Sequence, residues 1–139
     1  MQIRQAQLSD FETVYDFINQ LENEIMDSER QRGIFEANLS DPNIVYLLAF
    51  SDEKAVGFVS LHIQKLLHHG GPIGEIQEMF VSSDARSLGV GKQLIDEIKR
   101  IAKQKNVLQL EVTSNFKRES AHKFYEREGF SHTHKKFTL

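Results

Sequence analysis

Ile73-Gly74-Glu75-Ile76-Gln77-Glu78-Met79-Phe80-Val81, followed by Arg86-Ser87-Leu88-Gly89-Val90-Gly91 and an amphipathic run over residues 90–103, reads as one strand-loop-helix unit. Two glycines at the mouth of a helix let a ligand approach the backbone closely. The unpaired N–H groups of the first turn then present hydrogen bonds and the positive end of the helix dipole to phosphate oxygens. The unit therefore predicts a phosphorylated ligand, although a glycine pair also serves as a plain strand-to-helix turn. Its spelling argues against two nucleotide loops. A P-loop requires Gly-x4-Gly-Lys-Ser/Thr, whereas Arg86 stands at the first glycine position and Gln93 follows Lys92. A dinucleotide fingerprint requires Gly or Ala where Leu94 stands.

Outward from this unit, hydrophobic periodicity lays out a mixed sheet. Residues 1–6 suit a first strand, and Ser9-Asp10-Phe11-Glu12 reads as a capping box opening a helix with Phe11, Val14, Ile18, Leu21 and Ile25 on its apolar face. A second, shorter helix carries Ile34, Phe35 and Leu39 and is broken by Asp41-Pro42-Asn43. Residues 45–50 and 55–63 read as antiparallel strands around a turn at Ser51-Asp52-Glu53-Lys54, and residues 75–81 extend them into a meander. In the main helix Val90, Leu94, Ile95, Ile98, Ile101 and Ala102 form one stripe that must lie on a sheet, with Asp96 and Arg100 paired on the outside. Residues 107–113 form a further strand, and the intervening crossover helix implies that it runs parallel to the glycine-loop strand. A helix over 119–128 and a C-terminal strand around 130–137 complete the expected order. The fold class is α/β (α+β): a central mixed, mostly antiparallel sheet flanked by about four helices.

At 139 residues the chain makes one domain, 1–139, with a single core. No apolar stretch approaches the roughly 20 residues that cross a bilayer, and no signal peptide opens the chain, so a soluble cytoplasmic protein without a membrane partner is expected. The absence of cysteine excludes disulfides, thiolate catalysis and zinc-thiolate sites. A net charge of −3 gives no basic footprint for nucleic acid. The pairs Lys103 and Lys105, and Lys135 and Lys136, read as solvated surface. Among six histidines, His62, His68 and His69 precede the glycine-loop strand, but their spacing matches no compact metal motif. His68-His69-Gly70-Gly71-Pro72 is most simply a polar hairpin loop, and His132 with His134 a surface pair.

Arg86-x-x-Gly89-x-Gly91 after an apolar strand resembles the coenzyme A pyrophosphate loop of the GNAT superfamily of N-acetyltransferases. Ala121-His122-Lys123-Phe124-Tyr125-Glu126-Arg127-Glu128-Gly129-Phe130 resembles that superfamily's late helix, with its alanine, tyrosine and Gly-Phe exit. The element order resembles the GNAT fold along the whole chain. The resemblance implies acetyl-CoA as co-substrate, its pyrophosphate over Arg86, Ser87, Leu88, Gly89, Val90, Gly91 and Lys92. The backbone N–H groups near Met79, Phe80 and Val81 would polarise the thioester carbonyl if that strand bulges. Phe124 would join the cofactor side. Many GNAT proteins contact the pantetheine arm through an asparagine three residues before the late-helix alanine. This chain has Arg118 there, and Asn115 three residues earlier, so either residue could take that place.

Acetylating an amine requires a neutral nitrogen, a polarised carbonyl and a proton for the leaving thiolate. An alkyl ammonium has a pKa near ~10.4, so a base must remove a proton at neutral pH. Glu78, just before the loop, is the first candidate, and many GNAT enzymes place an acid there; otherwise it is a strand-surface glutamate in a salt bridge. Glu75 and Gln77, expected on the opposite strand face, are weaker candidates. Tyr125 reads as core from periodicity alone, whereas the resemblance makes it the donor that protonates the thiolate.

Within the superfamily, the resemblance extends to the enzymes that acetylate aminoalkylphosphonates. It is carried by Ala37-Asn38-Leu39, Asp41-Pro42-Asn43, Leu61-His62, His68-His69, residues 73–78 and the segment from Lys117-Arg118 to Gly129-Phe130. This implies a small primary amine with an anionic tail, and it revives a divalent metal at the cluster of His62, His68 and His69 with Glu78. Arg30, Arg32 and Lys65 are cations in segments that could line the acceptor cleft. Protein or peptide acetylation, or an acyl-CoA-binding module without catalysis, stand as alternatives, and a homodimer is open.

Overall fold

The computed structural model describes residues 1–139. Five strands form one sheet in the order β1 (Gln2–Gln5), β2 (Ile44–Ser51), β3 (Lys54–Leu66), β4 (Gly71–Val81), β5 (Gln109–Val112). The first three junctions are antiparallel and β4 with β5 is parallel. The helices are α1 (Phe11–Glu22), α2 (Ser28–Leu39), α3 (Val90–Gln104) and α4 (Glu119–Arg127). None is long and apolar enough to cross a membrane. The parallel junction follows from the crossover through α3, which returns the chain to the same end of the sheet.

The two faces of the sheet bury different residues. On one, Phe11, Val14 and Phe17 of α1 and Phe35 of α2 pack on Leu48, Phe58 and Phe80. On the other, Val90, Leu94, Ile95, Ile98 and Ile101 of α3 cover Val45, Leu47, Ala49, Val59, Leu61 and Ile76. With Ala102, every residue of the expected α3 stripe is buried. Each such aliphatic side chain contributes about 1.5–3 kcal/mol, which makes α3 the rigid base of the loop at its N-terminus.

Several local expectations are corrected. The turn into α1 is held not by Ser9 and Glu12 but by Asp10, whose carboxylate accepts the Gln7 N–H at 2.7 Å and the Arg4 guanidinium at 2.8 and 3.0 Å. Helix α1 stops at Asn23, in the left-handed conformation, so Ile25 lies beyond it and is exposed. Helix α2 is as long as α1, 12 residues each, and Ile34 is exposed on it. On α3, Asp96 pairs with Lys92 and Arg100 with Glu97. Residues 131–139 form no strand and are exposed, and β5 is left as the edge of the sheet.

One irregularity decides the geometry of the site. Strand β4 pairs Met79 with Val59 and Ile76 with Leu61, so Gln77 and Glu78 together oppose Ser60. This is a β-bulge, and its extra residue reverses the strand's alternation. Ile76 is therefore buried against α3, whereas Phe80, an even number of residues later, is buried with α1 and α2.

Candidate active site

Strands β4 and β5 part beyond the bulge. Their pairing runs from Ile73 with Gln109 to Ile76 with Val112 and then ceases, leaving residues 77–81 with a free edge. Toward β3, the Ser82 N–H donates to the Val56 carbonyl and the Glu78 N–H to the Ser60 hydroxyl, both at 2.9 Å. Strand alternation then turns the Met79 and Val81 amides to the free edge and the Phe80 amide to β3. The Arg86 side chain marks the same edge, with Nε 3.4 Å from the Val81 carbonyl it donates to. Of the three expected amides, two face the cleft. The Phe80 ring turns away to pack on Phe17, with centroids 4.8 Å apart.

The glycine loop stands at the end of this cleft. Ser87 and Gly89 adopt positive φ, 73° and 78°, which turn the chain sharply into α3. The N–H groups of Ser87, Gly89, Val90, Gly91 and Lys92 donate to no backbone acceptor; the first helical donation is from Gln93 to the Gly89 carbonyl at 3.1 Å. Five free donors at the positive end of a 15-residue helix fit the phosphates of a coenzyme A. Arg86, Ser87, Leu88, Gly89 and Lys92 are exposed there, and Val90 is buried as the helix's first anchor. Lys92 pairs with Asp96 at 3.4 Å and Glu128 at 3.6 Å, and Asp96 first, then Glu128, raises its pKa. A Cβ on Gly91 would stand 3.1 Å from the Phe124 ring, so glycine lets α4 close against α3.

Helix α4 brings Tyr125 to this cleft. Its ring meets Phe124 and Phe130 edge-on, with centroids 5.4 and 5.9 Å away, and its hydroxyl reaches the Met79 sulfur. Burial raises its pKa, with Arg118 a smaller opposing influence, so the phenol stays protonated. Arg118 donates to the Leu21 carbonyl near the end of α1 at 3.1 Å, bridging two helices at the cleft wall. Asn115 is occupied within its own turn. Its side-chain oxygen accepts the Lys117 N–H and its carbonyl the Arg118 N–H, each at 2.9 Å.

Glu78 lies half-buried on the α1 and α2 face. Ser60 donates its hydroxyl proton to Glu78 Oε1. Across β3, Tyr46 is registered with Ser60, and its hydroxyl accepts from Asn38 Nδ2 at 2.7 Å. Burial chiefly raises the Tyr46 pKa, and Glu78 adds to the rise. Asn38, Tyr46, Ser60 and Glu78 thus form a polar row from α2 across three strands. Sequence reasoning missed Tyr46 and Ser60. Their signal was a hydroxyl at alternate positions with Leu48 and Phe58 in otherwise apolar strands. The bulge also corrects the placement of Glu75, which shares the Glu78 face, accepting from Gln77 at 2.6 Å and Thr113 at 3.1 Å.

The histidines do not converge. His62 is registered opposite Glu75, His68 and His69 stack with centroids 4.3 Å apart, and His69 Nε2 is 3.7 Å from Glu111. No group of three or more His, Asp or Glu side chains is placed to hold a metal. The residues present therefore do not fit a resident divalent ion at His62, His68 and His69.

A free-edged strand, a glycine loop with unpaired amides and a tyrosine helix beside it accord with a match to the acetyltransferase (GNAT) family over residues 3–130. The chain belongs to this family. As a GNAT enzyme it is an acetyl-CoA-dependent N-acetyltransferase acting on an amine. It is 40% identical over 137 residues to the aminoalkylphosphonate N-acetyltransferase of Salmonella typhimurium, covering 99% of this chain and 89% of that protein. Its fold matches a transcriptional regulator from Bacillus halodurans with a TM-score of 0.91 at 23% identity, over 99% of this chain and 97% of the other. It also matches an aminoglycoside antibiotic 6'-N-acetyltransferase from Acinetobacter haemolyticus, with a TM-score of 0.88 at 21% identity over 100% and 97% of the two chains.

Proposed function

We propose that this GNAT acetyltransferase moves the acetyl group of acetyl-CoA to the primary amine of a small molecule with an anionic tail, such as an aminoalkylphosphonate, by direct attack in a ternary complex. The observation that carries the choice of acceptor is the 40% identity, along nearly the whole chain, to an enzyme named for that substrate. In this reading the loop from Arg86 to Lys92 binds the pyrophosphate through its free amides, and the Met79 and Val81 amides hold the pantetheine arm and polarise the thioester carbonyl. Phe124 packs beside the arm, and Arg118 and Asn115 fix the turn that frames it. Glu78 takes the proton from the acceptor ammonium, releasing the lone pair that attacks the carbonyl carbon. As the tetrahedral centre collapses and the C–S bond breaks, Tyr125 gives its proton to the thiolate, and the second proton shed by the new amide nitrogen restores the phenol. Its buried phenol is suited to this because it remains a donor at neutral pH.

The reading includes a single domain over 1–139, a cytoplasmic location, no nucleic-acid partner and an open possibility of a homodimer. It is tested by comparing kcat/KM for aminoalkylphosphonates, matched uncharged amines and lysine peptides, each with metal and with chelator. Preference for aminoalkylphosphonates is expected. Preference for peptides would overturn the acceptor and favour a protein acetyltransferase.

A further inference from the structure

We infer that Ser60 is the positioning residue for Glu78, fixing both the bulge that carries it and the direction of its carboxylate. This rests on the reading of Glu78 as the base. Ser60 is 0% exposed on a face it shares with Phe58 and the Tyr46 ring, where an unbonded hydroxyl would be costly. Both of its side-chain partners lie on one residue. Its oxygen accepts the Glu78 N–H at 2.9 Å, and its proton goes to Glu78 Oε1.

The first bond answers a need created by the bulge. Two residues of β4 oppose one of β3 there, which breaks the regular ladder, and the Ser60 oxygen accepts the Glu78 N–H at that point. The second bond closes a ring from backbone to carboxylate within Glu78 itself. A glutamate side chain has three rotatable bonds, and this ring removes most of their freedom. Oε1 is held by Ser60, while Oε2 accepts no hydrogen bond within the chain and is left for the acceptor ammonium. Tyr46, held by Asn38, stands behind Ser60. Alanine at position 60 would free both the bulge amide and the carboxylate while keeping the acid itself.

A double-mutant cycle distinguishes positioning from simple packing. The kcat and KM for acceptor and acetyl-CoA are measured for the wild type, Ser60→Ala, Glu78→Gln and the double variant, with melting temperature as a folding control. Ser60→Ala should lower kcat by about tenfold to a hundredfold, as a misplaced reacting group does, with KM for acetyl-CoA changed by less than about twofold. On the Glu78→Gln background the same change should lose most of its effect on kcat, keeping only the part that acts through the bulge amide, because the carboxylate it positions has lost its function. Ser60→Cys, which keeps the size and a weak donor, should fall between, and it replaces Ser60→Ala in the cycle if that variant does not fold. Equal losses in both backgrounds, or a wild-type kcat for Ser60→Ala, overturn the inference alone. A wild-type kcat for Glu78→Gln overturns the base assignment and the inference with it.

Discussion

The Tyr125 hydroxyl lies 4.0 Å from the Met79 sulfur, across the gap between α4 and the free edge of β4. The phenol therefore points at the strand whose amides face the cleft, although its ring packs on Phe124 and Phe130. Tyr125→Phe keeps the ring and removes the proton, so turnover should fall by about tenfold or more while acetyl-CoA affinity changes little. Because burial raises its pKa above the ordinary tyrosine value, the hydroxyl stays a donor through the neutral range, and no loss of rate there should trace to it. Pre-steady-state measurement of the acetyl-transfer step checks this. A wild-type rate for that step would return Tyr125 to a packing role.

The two loop glycines should fail for different reasons. Gly89 has φ of 78° with open space around its missing Cβ, so Gly89→Val strains the backbone and pushes its branches where phosphate would lie. Gly91→Val instead meets the Phe124 ring and wedges α4 from α3. Both should weaken acetyl-CoA binding at least about tenfold by calorimetry, and both should lower the melting temperature, Gly89→Val through backbone strain and Gly91→Val through the clash with packed atoms. Wild-type affinity in either folded variant would remove the phosphate loop from this segment.

What the sequence revealed and what it hid differ in the range of the contacts involved. The α3 stripe was legible because six apolar positions repeat at helical spacing, and all six are buried. The parallel β4 and β5 pair followed from the crossover alone. The bulge was not legible, since residues 73–81 alternate acceptably in either register, and with it went the facing of Glu75. The segment 130–137 forms no strand, and its sequence, apolar only at Phe130 and Phe137, carries little strand signal of its own. For the site, Arg86 to Gly91 announced itself through local backbone demands. Glu78 was chosen from its position, but its partner Ser60 is 18 residues away and the Asn38 and Tyr46 pair belongs to other elements. Such a row exists only once the strands are in register.

The Arg4 and Asp10 pair should set part of the acid stability. The Arg4 hydrogen bond is the chief cause that holds the Asp10 carboxyl below its ordinary value near 3.8. A depressed carboxyl stabilises the fold above that ordinary value, and the contribution is lost as pH falls through the lower folded-state value. Asp10→Asn should cost about 1–3 kcal/mol at neutral pH, below the figure for a dry pair because the Arg4 side chain is 33% exposed. It should also flatten the acid limb. Thermal melts from about pH 7 to about pH 2 read both effects, and a variant with an unchanged acid limb would show that the pair does not contribute.

Glu78→Gln keeps the shape and the Ser60 contact while removing the base, so its effect should depend on how much neutral amine the solution already supplies. An alkyl ammonium near pKa ~10.4 yields about tenfold more neutral amine per unit rise in pH. The variant, left to draw on that fraction, should lose about a hundredfold or more in kcat/KM for the acceptor near pH 6 and recover as the solution becomes alkaline. The wild type should show a shallower rise, because the enzyme removes the proton itself. A glutamate serving only the fold would lower the rate by one factor at every pH, leaving the two curves parallel. Profiles of kcat/KM from about pH 6 to about pH 9.5, on one acceptor at saturating acetyl-CoA, separate the cases. Convergence at high pH supports Glu78 as the base; parallel or superimposed curves assign the proton transfer to another group.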